Sequence, residues 1–275
     1  MRRDPFLILA VVLVLAQAAA ALAAPLLAPY GPDAQEILAR LQGPTPAHWL
    51  GTDNFGRDVL SRIIFGERTL FAVSAGSVLG ALLIGGGLGI VSGWIGGAID
   101  RIIMHVMDVL FAFPIILLAI GIIAVLGPSA ASTAAAIGIV YIPIFARTLR
   151  APARLLLGTE YVAAARAIGA GRTRILRRHL LPNLAPLILV QASLSFSTAI
   201  LVEASLSFLG LGTQPPTASL GRMLSESRAF LFLSPWPAAF SGAAILLASL
   251  GFNLLGDGLQ DRLDPRLRLR WPGSG

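Results

Sequence analysis

The sequence predicts an all-α integral membrane protein of about six transmembrane helices, with the N- and C-termini cytoplasmic. Three observations carry this. Hydrophobic residues make up 56% of the chain and charged residues 13%, with a mean hydropathy of +0.79; a soluble globular domain is nearer one-quarter charged. Apolar runs of about 20 residues, the length that crosses a bilayer, recur at 6–24, 69–97, 106–126, 130–149, 186–210 and 237–257. The arginines also sort by side. With the N-terminus inside, the inner segments hold fifteen of them, eight between Arg147 and Arg178, and the outer segments hold six. The outer six are matched by Asp33, Glu36, Asp53, Asp58, Glu67 and Glu226, so the strongly basic side is cytoplasmic.

In chain order, residues 1–24 form the first span. Its basic start and small residues before Pro25 also fit a signal peptide, but nineteen uncharged residues are long for one, and the expectation is a retained helix. Segment 25–68 lies outside. Asp53, Arg57, Asp58 and Arg62 alternate in charge there and fit a short self-paired helix, or a contact to a binding protein. Residues 69–257 form a five-helix core with a cytoplasmic loop at 150–185, and 258–275 a solvated tail in which acids and arginines pair.

Gly85, Gly89, Gly93 and Gly97 recur every four residues on the second span, with Ser77 and Ala81 extending the stripe backwards. Small residues at this spacing let helix backbones approach closely, either within this subunit or against a partner. Arg101, His105 and Asp108 share one face near the inner end of the third span. Glu203 stands inside the fifth apolar run, where a carboxylate is costly and faces a cavity or a hydrogen-bond partner. Glu203 and, more weakly, Asp108 are therefore the candidates to line a translocation path. Outside again, Gly221–Phe232 reads as a helix at the outer mouth, and Trp236 as an interfacial anchor.

Several classes of chemistry are excluded. There is no cysteine, hence no disulfide, iron–sulfur cluster or thiol nucleophile. His48, His105 and His179 show no metal-ligand spacing. All 21 basic residues are arginine, so no GxxxxGK[ST] phosphate loop exists here; if ATP drives this protein, another chain binds it. The net charge of +7 reports topology, since no basic patch interleaved with aromatics of the kind nucleic acid requires is present.

The stretch EYVAAARAIGAGRTRILRRHLLPN, Glu160 to Asn183, stands apart. Ala163 to Ile168 is good helix sequence. Gly169, Ala170 and Gly171 permit a turn. Thr173 then caps a second helix, which Pro182 stops after Leu181. Such a knob fits a groove on a soluble partner; a basic loop lying on anionic lipid is the plainer alternative.

This stretch resembles the cytoplasmic EAA loop of bacterial ABC-importer permeases, whose pattern runs EAA, three residues, Gly, nine residues, Ile-x-Leu-Pro. Ala164, Ala165, Gly169, Leu181 and Pro182 match. Ala163 stands where the pattern has glutamate and His179 where it has isoleucine; Glu160 is not the motif position. Four further pieces resemble the C-type permeases of dipeptide, oligopeptide and nickel importers: HWLGTDNFGRDVLSRIIFGERTL (48–70), GWIGGAIDRIIMHVMDVLFAFP (93–114), ILVEASLSFLGLGTQPP (200–216) and FNLLGDGLQDRLDPRLR (252–268). The resemblance implies a non-catalytic permease subunit of the bacterial inner membrane, forming half a pathway for peptides or a related solute such as a nickel chelate or glutathione. It also implies a heterodimer with a second permease, two cytoplasmic ATPases that bind ATP and Mg, an extracytoplasmic solute-binding protein, and no cofactor in this chain. A stand-alone secondary transporter or channel is the alternative, but the repeated halves or matching broken helices common in that class are not evident. No Ser/His/Asp, metal or carboxylate-pair constellation supports an intramembrane enzyme.

Overall fold

The computed structural model describes residues 5–263, and these contain no β-strand. The long outer ends of the fold begin with α1 (Pro5–Leu22) and a short α2 (Ala24–Leu27). Phe6, Leu9, Val12 and Leu15 of α1 point outward from the chain, as expected of a helix wetted by lipid.

The second span is one rod, Val59–Ile95, made of α3 (Val59–Ala81), a π-helical turn (Leu82–Gly86) and α4 (Gly87–Ile95). It starts ten residues before the predicted boundary at 69. Asp58 is its N-cap, accepting from the Ser61 backbone N–H at 2.8 Å. The charged turn that hid this start is buried and paired: Arg62 reaches Asp33 (3.5 Å), Asp53 (3.6 Å) and the Pro32 carbonyl (3.1 Å). The short self-paired helix predicted over Asp53–Arg62 is thus corrected. Asp53 to Asp58 is a tight turn whose charges pair with one another and with Glu226, which Arg57 meets at 3.1 Å. At about 1.5 Å per residue, the 37-residue rod exceeds a hydrocarbon core of about 30 Å, so it tilts or projects.

The predicted third span divides. α5 (Gly97–Phe111) and α6 (Ile115–Leu126) meet at 91°. Pro114 lacks an N–H and biases Phe113 away from helix, which breaks the run where hydropathy alone reads through. α7 (Ala130–Leu157) follows, capped by Ser129 and eight residues longer than predicted. Tyr141 and Phe145 of α7 are fully buried and anchor the central core with Val73, Ile123, Ile137 and Leu206.

Beyond the loop, α10 (Leu181–Phe208) packs against α11 (Leu220–Ser227) and α12 (Trp236–Leu263). Phe71, Phe196 and Phe252 tie α3, α10 and α12 together, Phe196 stacking on Phe252 at 4.0 Å. Ser197 meets Ser249 across the α10–α12 seam, Oγ to Oγ at 3.0 Å. The outer-mouth helix predicted to reach Phe232 ends at Ser227, followed by a 3-10 turn over Arg228–Phe230. Trp236 opens α12, stacks on Phe240 and is 40% exposed. α12 continues through the predicted start of the tail at 258; the remainder of that tail lies outside the described residues.

Candidate functional site: a two-helix loop on the basic side

The site is built on the inner end of α7, where Arg147, Arg150 and Arg154 recur near one helical turn. Arg150 grips Asp100 of α5 with two bonds, Nε to Oδ1 at 2.6 Å and Nη2 to Oδ2 at 2.5 Å. Asp100 also accepts from the Ser92 hydroxyl of α4, and Arg154 stands 4.0 Å away. Three elements, α4, α5 and α7, are thereby pinned at one buried carboxylate. Arg147 pairs instead with Asp108 at 2.6 Å and lies over the Phe111 ring; Asp108 is exposed.

α7 ends at Leu157, and the chain turns into α8 (Glu160–Ala167). α8 begins three residues before the predicted Ala163. Its end is a Schellman turn: Ala170 N–H bonds the Ala165 carbonyl at 2.9 Å, Gly169 N–H the Arg166 carbonyl at 3.0 Å, and Gly169 has φ +85°. Gly171 has φ −68°, so only Gly169 carries the left-handed conformation.

α9 (Arg172–Ile175) then opens a second rod. Gly171 is its N-cap and Thr173 makes no capping bond, which corrects that assignment. The stop at Pro182 is also corrected. The rod runs without interruption from Arg172 to Phe208 through a π-helical turn at Leu176–Leu180, with Pro182 in the first turn of α10, where its missing N–H is tolerated. The loop is therefore one short helix, a glycine turn and the protruding end of a membrane helix.

The loop is seated by a small core of its own. Val162, Ile175, Leu180 and Leu184 pack with Ala153 and Leu157 of α7, flanked by Trp94 and Ala170. Within α8 the two matched alanines separate: Ala165 is buried against this core, whereas Ala164 is exposed. Ala163, Ala167 and Ile168 are exposed with it, Ile168 at 88%. Tyr161 lies 5.8 Å from His179, ring centre to ring centre. The exposed face of α8 is thus small and apolar, with Arg166 exposed near its end, and Glu160 is its one exposed acid.

The sequence profile of the family of binding-protein-dependent transport system inner membrane components matches residues 85–269. The chain belongs to that family. It is a permease of the bacterial inner membrane, and the profile spans the glycine stripe, the loop and the last two long helices. The dipeptide transport system permease protein of Alkalihalophilus pseudofirmus is 48% identical over 229 residues, covering 83% of this chain and 75% of that one. The glutathione transport system permease protein of Pectobacterium atrosepticum is 47% identical over 82% of this chain and 75% of its own length. A probable D,D-dipeptide transport system permease protein of Escherichia coli is 43% identical over 88% and 81%. Among solved structures, an inward-facing form of the MetNI methionine ABC transporter superposes with a TM-score of 0.53 at 19% identity, over 73% of this chain and 97% of that one. That likeness shows the fold.

Within the permease, the other predicted residues are scattered. Gly85, Gly89 and Gly93 face α7 in the same chain, and a Cβ on them would overlap the carbonyl oxygens of Ile142, Ala146 and Arg150. Gly97 is not part of this seam. It has φ +60° beside Gly96 at +68°, with open space around it, and forms the break between α4 and α5. Glu203 is 1% exposed. Its Oε1 accepts from Ser207 at 2.7 Å and its Oε2 has no hydrogen-bond partner among the described residues, while α11 crosses the same turn at Ala204 and Ser207. Glu203 and Asp108 are thus not brought to one site. Asp100 escaped the sequence reading, because the helical face counted there was that of Arg101, His105 and Asp108. A carboxylate between an apolar span and an arginine-rich inner segment is the signal that could have found it.

Proposed function

We propose that this permease is one half of a heterodimeric ABC importer for peptides or a related small solute, and that the Glu160–Pro182 loop is where two cytoplasmic ATPases hold it. The printed activities of the relatives, dipeptide, D,D-dipeptide and glutathione transport, support the solute class. An extracytoplasmic solute-binding protein delivers the solute to the outer face. ATP and Mg belong to the ATPases, in keeping with a chain that has no lysine, and this subunit performs no covalent step.

The single observation that carries the loop's role is its mounting. The exposed face of α8 sits on a private core and is joined by the Gly169 turn directly to the rod Arg172–Phe208. A push on that face moves a membrane helix as a unit, which is what biasing an inward–outward equilibrium requires. With Ala163 in place of the family's glutamate, the grip relies on apolar contact at Ala164, Ala167 and Ile168 and on Arg166 beside them. Of the two pathway candidates, Asp108 reaches the surface, and Glu203 acts as an internal positioning group.

The test is recovery of the ATPase on a tagged permease pair. Burying an isoleucine contributes about 1.5–3 kcal/mol, so Ile168→Asp should weaken ATPase binding by at least about tenfold while leaving the permease pair intact. Unchanged ATPase recovery would remove α8 as the docking face.

A further inference from the structure

At the inner end of the Val59–Ile95 rod lies an open cleft of about 250 Å³ between α4 and α9. One wall is Ile90, Val91, Trp94 and Ile95; the other carries Arg172 and Thr173. Val91 is 43% and Ile95 54% exposed, so the aliphatic wall opens outward from the chain along a membrane helix. Arg172 is exposed, and no acidic side chain among the described residues pairs with it. The cleft joins an apolar wall, at the end of a helix long and apolar enough to cross a membrane, to a cationic wall on the arginine-rich side, the pairing that an acyl chain and its headgroup require. Tryptophan is the residue type that favours that boundary.

We propose that this cleft binds an anionic phospholipid of the cytoplasmic leaflet, with its acyl chains along Ile90, Val91 and Ile95 and its phosphate against Arg172 and the Thr173 hydroxyl. A soluble partner does not fit the first wall, an exposed aliphatic face on a helix long and apolar enough to cross a membrane. A zwitterionic lipid satisfies that wall but leaves the guanidinium without a net counter-charge. Arg172 follows the Gly169–Gly171 turn and opens the rod to Phe208, so a lipid held there fixes the base of the loop at the bilayer surface. This goes beyond the docking role of α8 and does not depend on it.

Trp94 is a built-in reporter. The assembled transporter is reconstituted in nanodiscs containing brominated phosphatidylglycerol or brominated phosphatidylcholine, and the Trp94 signal is isolated by subtracting a Trp94→Phe variant. One arginine near an anionic surface enriches an anionic lipid about fivefold. Half-quenching of Trp94 should therefore need about fivefold less phosphatidylglycerol than phosphatidylcholine. Arg172→Gln should bring the two lipids together, while Arg174→Gln, outside the cleft, should keep them apart. Equal quenching in the unaltered protein would overturn the headgroup site. Absence of quenching by either lipid would overturn it too, showing that protein covers the cleft.

Discussion

Gly85 and Gly80 are both helical glycines in the same rod, yet they bear different constraints. A Cβ at Gly85 runs into the backbone of Ile142, which cannot give way as a side-chain tip could, while a Cβ at Gly80 meets nothing within 4 Å. Gly85→Ala should therefore destabilise the permease by about 1–3 kcal/mol, read as a lower unfolding midpoint in detergent. Gly80→Ala should be neutral or gain up to about 1 kcal/mol from helix propensity. Equal midpoints would dissolve the backbone-contact account of the stripe. The carboxylates divide in the same way. Asp100 is 7% exposed and held by Arg150 in two bonds, whereas Asp108 is 61% exposed and held once by Arg147. Asp100→Ala removes two charge-assisted bonds from Arg150, whose side chain is 37% exposed and turns to water, and should cost about 1.5 kcal/mol; Asp108→Ala should cost about 1 kcal/mol or less. A larger loss at Asp108, in the same unfolding experiment, would mean that the pin between α4, α5 and α7 lies elsewhere.

At the scale of elements, the turn after α8 decides whether the loop behaves as a rigid arm. Gly169 needs a positive φ but has open space around it, so Gly169→Val adds strain of about 1–2 kcal/mol without a clash. The permease should still assemble, and ATP hydrolysis should continue while uptake falls. Gly171→Val, at a φ any residue adopts, should leave uptake near normal. Wild-type uptake with Gly169→Val would remove the turn from the mechanism. This turn was legible in the sequence, since a glycine after an alanine-rich helix has one ready meaning. Other boundaries were not. Arg62 and Glu67 interrupted the apolar count of α3, because hydropathy scores a charge without knowing whether Asp33 and Asp53 fold over it. Pro182 read as a stop, because a sequence does not announce that a π-helical turn precedes it. Pro114 gave a true break inside a run long enough to be taken for one straight span.

For the whole molecule, composition and apolar run length were enough for the class and the approximate number of spans. How the spans pair was not, since α3 and α4 against α7, and α10 against α12, are choices among equally apolar faces. The resulting body has two 37-residue rods, one ending at the glycine break before α5 and the other beginning at the loop. Both are longer than about 30 Å of hydrocarbon needs, and both reach the loop's core, through Ile90 and Trp94 of the first and Ile175 and Leu180 of the second. A movement imposed at α8 is therefore shared by two membrane helices.

The central claim, that this chain moves solute only when ATPases drive it through the loop, is tested most directly by reconstituted uptake. Liposomes carrying this chain and its partner permease receive a peptide-loaded binding protein, with and without the two ATPases and Mg-ATP. The account predicts uptake in the complete system alone, and none when ATPases or ATP are withheld. Concentrative uptake by this chain without ATPases would contradict it and return the chain to the class of stand-alone transporters.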